Sequence, residues 1–380
     1  MILLMFYFYD RCFPPVFAVQ GSNPFNYSLV PFGLQEGCIP STGPTEVFKV
    51  HPRSEWASFN FIAGTSLKTL RISIDEHPMW VYEVDGHYIE PQLVDSMIMF
   101  NGERYSVMVR LDKKPGEYTM RISDSGMDQV VSGFATMQYR NAPPEGLGRP
   151  SIASINYGGQ NVSADVRDLN VDKLIPFNTP PPAYEADITH FLNTGRLGAA
   201  WKWSMNGKEL YASDRSAYQP LLYYPNSTDA QDTSLTIGTK NGTWVDIIIQ
   251  IGNTNNTEDN TQFPHVVHKH GNKMYKIGKG LGHFNWTSVA HAIVDRPKLF
   301  NLVNPPYRDS FLTTDEGIMW IAIRYHVVIP GPFLLHCHFE NHLEGGMAVV
   351  LMDGVDKWPT VPPEYQDGKV DQAYINGLDV

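Results

Sequence analysis

Between Phe59 and about Ile122, apolar and polar residues alternate in short runs, FNFIAGT, TLRISID, MWVYEVDG, ERYSVMVRL and GEYTMRIS, each closed by Gly, Asp or Pro. A period of two over stretches this short marks half-buried β-strands joined by turns, and it predicts a sandwich or barrel domain over residues 1–145. The first nine residues, MILLMFYFY, are aromatic-rich, carry no preceding Lys or Arg and run straight into Asp10 and Arg11. They read as a buried strand rather than a secretory leader. NAPPEGLGRP and NTPPPAYE then bracket a weakly patterned stretch, which predicts a linker over residues 146–186. Strand patterns resume in TSLTIGTK, WVDIIIQIG, IMWIAIRYHV and MAVVLMDG, defining a second domain over 187–355. The Pro-rich, polar tail 356–380 is expected to run over the surface.

Composition sharpens this to an all-β protein. Charged residues make up only 18% of the 380, with 31 Gly and 28 Pro to punctuate the strands. A net charge of −11 argues against a nucleic-acid partner, because phosphate affinity is built from an excess of Lys and Arg. No run reaches the roughly 18–20 apolar residues that a membrane span requires. Sequons at Asn26, Asn161, Asn226, Asn241, Asn255 and Asn285 point to a secreted, extracellular glycoprotein. Three cysteines are too few for a disulfide scaffold. Cys12 and Cys38 are open to pairing with each other or elsewhere, while Cys337 sits between two histidines.

Six of the 13 histidines fall in two short windows, His265-Val-Val-His268-Lys-His270 and His336-Cys337-His338-Phe-Glu340-Asn-His342, the latter followed by Met347. On a strand, residues two apart share a face, so His268 and His270 point together, His336 and His338 point together, and Cys337 points the other way. One strand can then serve a metal site on each of its sides. A thiolate, two imidazoles and a thioether form the ligand set of a blue-copper centre, and Cys337, His342, Met347 and one histidine of the first window supply it. Zinc competes for Cys and His, but structural zinc sites are usually closed by paired cysteines at short spacing, which this chain lacks.

Written out, the windows H-x-x-H-x-H and H-C-H-x-x-x-H-x-x-x-x-M resemble the carboxy-terminal copper signatures of the multicopper oxidases, the family of laccases, ascorbate oxidases and ferroxidases. WKWSMNGK (201–208), NPPYRDSF (304–311), VIPGPFLLHCH (328–338) and VYEVDGHYIEPQ (81–92) are similar to family stretches too. The likeness covers nearly the whole chain from Phe59 onward, and MDGVDKWPTVPPEY looks most like the fungal laccase and ascorbate-oxidase-like branch. The resemblance implies two cupredoxin-like Greek-key β-sandwich domains, equivalent to the second and third of the family. It makes His265, Cys337 and His342 the type 1 copper ligands with Met347 axial, His268 a type 2 ligand, and His270, His336 and His338 type 3 ligands. It also implies that a small-molecule reductant gives up electrons singly at type 1 copper, and that these cross Cys337 to His336 and His338 and reduce dioxygen to water. Glu340 matches an acidic position suited to proton relay, or else a solvated carboxylate.

The family's first domain contributes two H-x-H pairs to the trinuclear cluster. His51, His77, His87, His190, His283, His291 and His326 form no such pair, so half of the expected imidazoles are absent from this chain. The expectation is an amino-terminally truncated member, the missing cupredoxin domain being an implied partner. The alternative is a non-catalytic protein that keeps only type 1 copper and transfers electrons. Glu76-His77, Asp85-Gly86-His87 and Arg308-Asp309 are expected to be structural, and His283 and His291 to be loop residues.

Overall fold

The computed structural model describes residues 44–65, 68–125, 132–198, 202–210, 221–226, 228–252, 264–313 and 317–362, with the backbone of 2–7 and 18–19. Cys12, Cys38, Asn26, Asn255 and the tail beyond 362 lie outside them. Among the described residues, α-helix is confined to Thr228–Gln231, Val289–Asp295 and Glu340–Glu344, and strands dominate, as the alternation requires. None of the described helices is long and apolar enough to cross a membrane. The chain forms two compact units, the first comprising Met1–Pro180 with Asn304–Leu312 and His338–Glu340, the second the remainder.

In the first unit, Trp56–Gly64 pairs in parallel with Ile2–Tyr7 and antiparallel with Arg104–Arg110, and Met79–Val84 and His87–Val94 extend this sheet. The opening apolar run therefore is a strand, while the burial expected of its side chains falls outside the description. A second sheet runs Val47–Val50, Ser132–Tyr139, Glu117–Asp124, Leu70–Ile74, Ser96–Met99. The period of two turns Phe59 and Phe61 from one sheet and Tyr118, Met120 and Ile122 from the other into a single core. Residues 146–180, whose Pro and Gly content reads as linker, pack on this unit: Leu174 is part of its core, Leu169 and Val171 lie against it, and Arg71 holds the Gly159 carbonyl and Asp168.

Arg308 is enclosed within the same unit. Its Nε donates to Asp85 Oδ2 at 2.7 Å, its Nη1 to the Tyr105 hydroxyl at 2.9 Å, and its Nη2 lies 2.8 Å from Glu103 Oε1. Burial pushes the Glu103 carboxyl up to about 7, although Arg308 pulls it down. Beside this cluster Arg104 makes a two-pronged contact with Asp309, at 2.8 and 2.7 Å. Arg308 and Asp309 are thus structural, joining strands more than 200 residues away in sequence rather than closing a local turn.

The second unit repeats the pattern. One sheet runs Trp203–Ser204, Ile188–Arg196, Trp244–Ile251, Met319–His326, Met274–Leu281, with Ile188–Arg196 parallel to Trp244–Ile251. The other contains Thr236–Gly238, Ala348–Asp353, Gly331–Cys337 and Val266–Lys269 in that order. Trp244–Ile251 is buried on both faces from Val245 on, which accounts for its continuous apolar text. Gly331–Cys337 and Val266–Lys269, the last two of these strands, run through the histidine windows.

Candidate metal centre

Val266–Lys269 and Gly331–Cys337 pair antiparallel, with Val267 opposite Cys337 and His268 opposite His336. Strand alternation does the rest. Cys337 and Val267 share one face, with His265 two residues before Val267, and His268 and His336 share the other. Two separate groups result, and among the described residues these are the groups in which at least three His, Cys, Asp or Glu ligand atoms lie within 4.8 Å of one another.

The first group is His265, Cys337 and His342, all buried. Cys337 Sγ lies 3.4 Å from His342 Nδ1 and 3.8 Å from His265 Nδ1, and the two nitrogens are 3.1 Å apart. A point equidistant from the three donors lies about 2 Å from each, the length of a metal–imidazole bond. Burial, with the neighbouring His342, holds the His265 imidazole well below its usual range. Burial, with the Arg196 charge, pulls His342 down to about 4. Both rings are therefore neutral at neutral pH, the form that ligates metal. A thiol and two neutral imidazoles converging in a dry site fit a soft, thiolate-seeking cation such as copper. His342 sits on the short helix Glu340–Glu344, and Met347 N–H donates to its carbonyl at 2.9 Å, while Cys337 N–H donates to the Met347 carbonyl at 3.1 Å. Buried Met347 is in this way stitched to two of the three donors.

Trp203 was not singled out as a site residue in the sequence, where it is simply part of WKWSMNGK. Its ring lies 4.1 Å from that of His342 and 5.4 Å from that of His265, and Arg196 stands 5.4 Å over it. It covers both imidazoles with an apolar surface.

The second group is His268, His270 and His336, with ring centroids 5.2 to 5.4 Å apart. His336 Nδ1–H donates to the Cys337 carbonyl at 2.8 Å, which leaves the Nε2 lone pair facing His270 Nε2 at 3.2 Å. His268 is half-buried and His270 exposed. The strand ends at Cys337, so His338 lies past it. His338 groups with the first unit, where Asn101 Nδ2 donates to its carbonyl and its ring packs so closely on Gly102 that an added Cβ would come within 2.3 Å of Nε2. Glu340 is exposed.

Of the other histidines, His77 and His87 hold structure. His77 accepts from the Tyr139 hydroxyl at Nε2 (2.8 Å) and donates from Nδ1 to the Asp75 carbonyl (2.9 Å), and His87 Nε2 is bonded to the Thr179 hydroxyl at 2.6 Å. His283 and His291 are exposed, as loop residues would be, although His291 belongs to the helix Val289–Asp295.

Two family models, both described as multicopper oxidase, match residues 201–357 and 14–142. The multicopper oxidase VdtB of Byssochlamys spectabilis is 47% identical over 370 residues, covering 94% of this chain and 53% of that protein. The laccase abr2 of Aspergillus fumigatus is 49% identical over 350 residues, covering 92% and 59% respectively. The chain spans a little over half the length of these curated relatives. Among solved structures, the laccase of Botrytis aclada superposes with a TM-score of 0.73 at 18% identity, covering 99% of this chain and 68% of that one. Fet3p, a multicopper oxidase of iron import, gives 0.68 at 15%, covering 98% and 70%. The fold is that of these proteins, all-β with cupredoxin-like domains.

Proposed function

Since this chain belongs to the multicopper oxidase family, we propose that it is the type 1 copper-bearing part of a laccase-type oxidase, which takes electrons singly from phenols or similar small reductants and delivers them to dioxygen. The observation that carries this reading is the buried convergence of Cys337 Sγ, His265 Nδ1 and His342 Nδ1. Copper, when bound, supplies the one-electron oxidation of the reductant and the reduction of dioxygen to water.

The chain's own residues hold, orient and insulate. Cys337, His265 and His342 would hold type 1 copper, with the Met347 thioether as a further ligand. His268 would serve type 2 copper, and His270, His336 and His338 would serve the type 3 pair. Cys337 is joined by peptide bonds to His336 and His338, which gives the shortest covalent route between the two groups. The His336 hydrogen bond to the Cys337 carbonyl fixes that ring with Nε2 outward. Trp203 keeps water from the inner faces of His265 and His342. Glu340, exposed and lying between His338 and His342 in sequence, would accept or return protons. The remaining imidazoles of the cluster would come from a further cupredoxin domain. Exposed Asn226, Asn241 and Asn285, each in a sequon, support a secreted, glycosylated protein.

The test is copper loading of the full chain with optical spectroscopy and oxygen uptake. A blue absorption band that disappears in C337S supports the type 1 assignment, and copper binding without that band overturns it. About one copper per chain would place it at the Cys337 group, and about four would show the cluster to be complete. Oxygen uptake with a phenolic donor, lost in C337S, reports the oxidase activity.

A further inference from the structure

The residue between His268 and His270 is a lysine whose side chain has no solvent exposure. Burying an ammonium costs several kcal/mol unless it is paired and hydrogen-bonded. Lys269 points away from its two histidine neighbours, to the Cys337 face of the strand, by the same alternation that separates the two metal groups. There Asp353 Oδ2 lies 3.5 Å from Nζ, an ion-pair contact longer than a hydrogen bond, and the rings of Tyr325 and Phe333 stand 4.6 and 5.2 Å away. Asp353 is itself held by the hydroxyls of Tyr325 at 2.9 Å and Thr239 at 3.1 Å.

The hydrogen bonds of the ammonium go to the turn that follows. Nζ donates to the His270 carbonyl at 3.0 Å and to Asn272 Oδ1 at 2.9 Å, with the Asn272 carbonyl at 3.5 Å. Asn272 Nδ2 donates onward to the His326 carbonyl at 2.8 Å. Between them Gly271 takes φ +81° and lies so close to Phe333 that a Cβ would fall 2.9 Å from its ring. His270 stands one residue past the end of its strand with an exposed ring, a place where backbone normally frays. Here its N–H donates to the Leu334 carbonyl at 2.9 Å and its own carbonyl is held by Lys269, so both of its backbone polar groups are fixed.

We propose that Lys269 is a positioning residue for the three-histidine group: its ammonium, backed by Asp353, fixes the carbonyl of His270 and the turn after it, and so aims the His270 ring at His336. The proposal rests on reading His268, His270 and His336 as copper ligands. Partners of this kind, behind the ligands, typically alter metal affinity ten- to a hundredfold when removed.

The experiment titrates Cu(II) into the full chain and into K269M against a competing chelator. The Cys337 group is followed by its blue absorption and the three-histidine group by electron paramagnetic resonance. In K269M the blue band is expected to persist while copper affinity at the three histidines falls about ten- to a hundredfold. Unchanged affinity in folded K269M overturns the proposal. If K269M does not fold, N272A removes one acceptor of the ammonium at a partly exposed turn position without touching the core. A several-fold weakening there supports the positioning role, and an unchanged affinity overturns it. A wild-type chain that takes up no copper at the three histidines overturns the ligand assignment instead, and the positioning role with it.

Discussion

Replacing Arg308 by Met tests the ion cluster of the first unit. The substitution keeps a long, unbranched stem but strips the charge from a site where Asp85, Glu103 and Tyr105 all face the guanidinium within 3 Å. Two buried carboxyls then lose their common cation, and removing one partner of a buried ion group costs about 3–5 kcal/mol. The sign of its pH dependence follows from Glu103. Burial already raises this carboxyl to about 7 with Arg308 beside it. Without Arg308 it keeps its proton to higher pH, and a raised carboxyl pKa stabilises below the unfolded value and loses that stability as pH rises. The deficit of R308M relative to wild type is therefore smallest near pH 5 and widens as pH rises through 7. Hydrogen exchange in graded urea, followed by mass spectrometry on peptides from 79–111, reads this unit separately from the other. A loss below about 1 kcal/mol at pH 7, or a deficit that widens on acidification, would refute the argument.

In the metal-free protein, unfolded His342 takes its proton at about 6.5 whereas the folded ring waits until about 4. Stability should accordingly fall by up to about 1.4 kcal/mol per pH unit across that window, and urea midpoints in H342F should show a shallower slope. L174A should cost the first unit about 2–5 kcal/mol by thermal or urea unfolding, because Leu174 is core and not linker surface. G102A meets both a φ of +82° and the His338 ring, so a stability loss of at least about 1 kcal/mol and a shifted His338 imidazole resonance are expected, whereas a neutral effect would contradict the close packing.

Much of the site could be read before any fold was known. Alternation alone placed Cys337 on the face opposite His336, because a strand's period of two does not depend on tertiary context. What it could not supply was the register between Val266–Lys269 and Gly331–Cys337, strands separated by more than 60 residues, and with it the meeting of His265 with Cys337. His338 was expected on the face of His336, but the strand ends at Cys337 and the periodicity stops there. Nothing in the first window marks Lys269 as buried, since its compensating Asp353 lies 84 positions on. The Pro-rich stretch around Leu174 reads as linker because ordered coil packs by individual contacts that leave no period in the text.

The cross-strand pairing of Val267 with Cys337 and of His268 with His336 also bears on how the region can change length. A slip of one residue exchanges the two faces of a strand completely. A single inserted or deleted codon within 331–337, were pairing to shift with it, would turn the thiol toward the imidazoles of the three-histidine group and a histidine into the core. Insertions and deletions in this strand are thus filtered by parity, and natural variation in length should collect in the loops on either side of it.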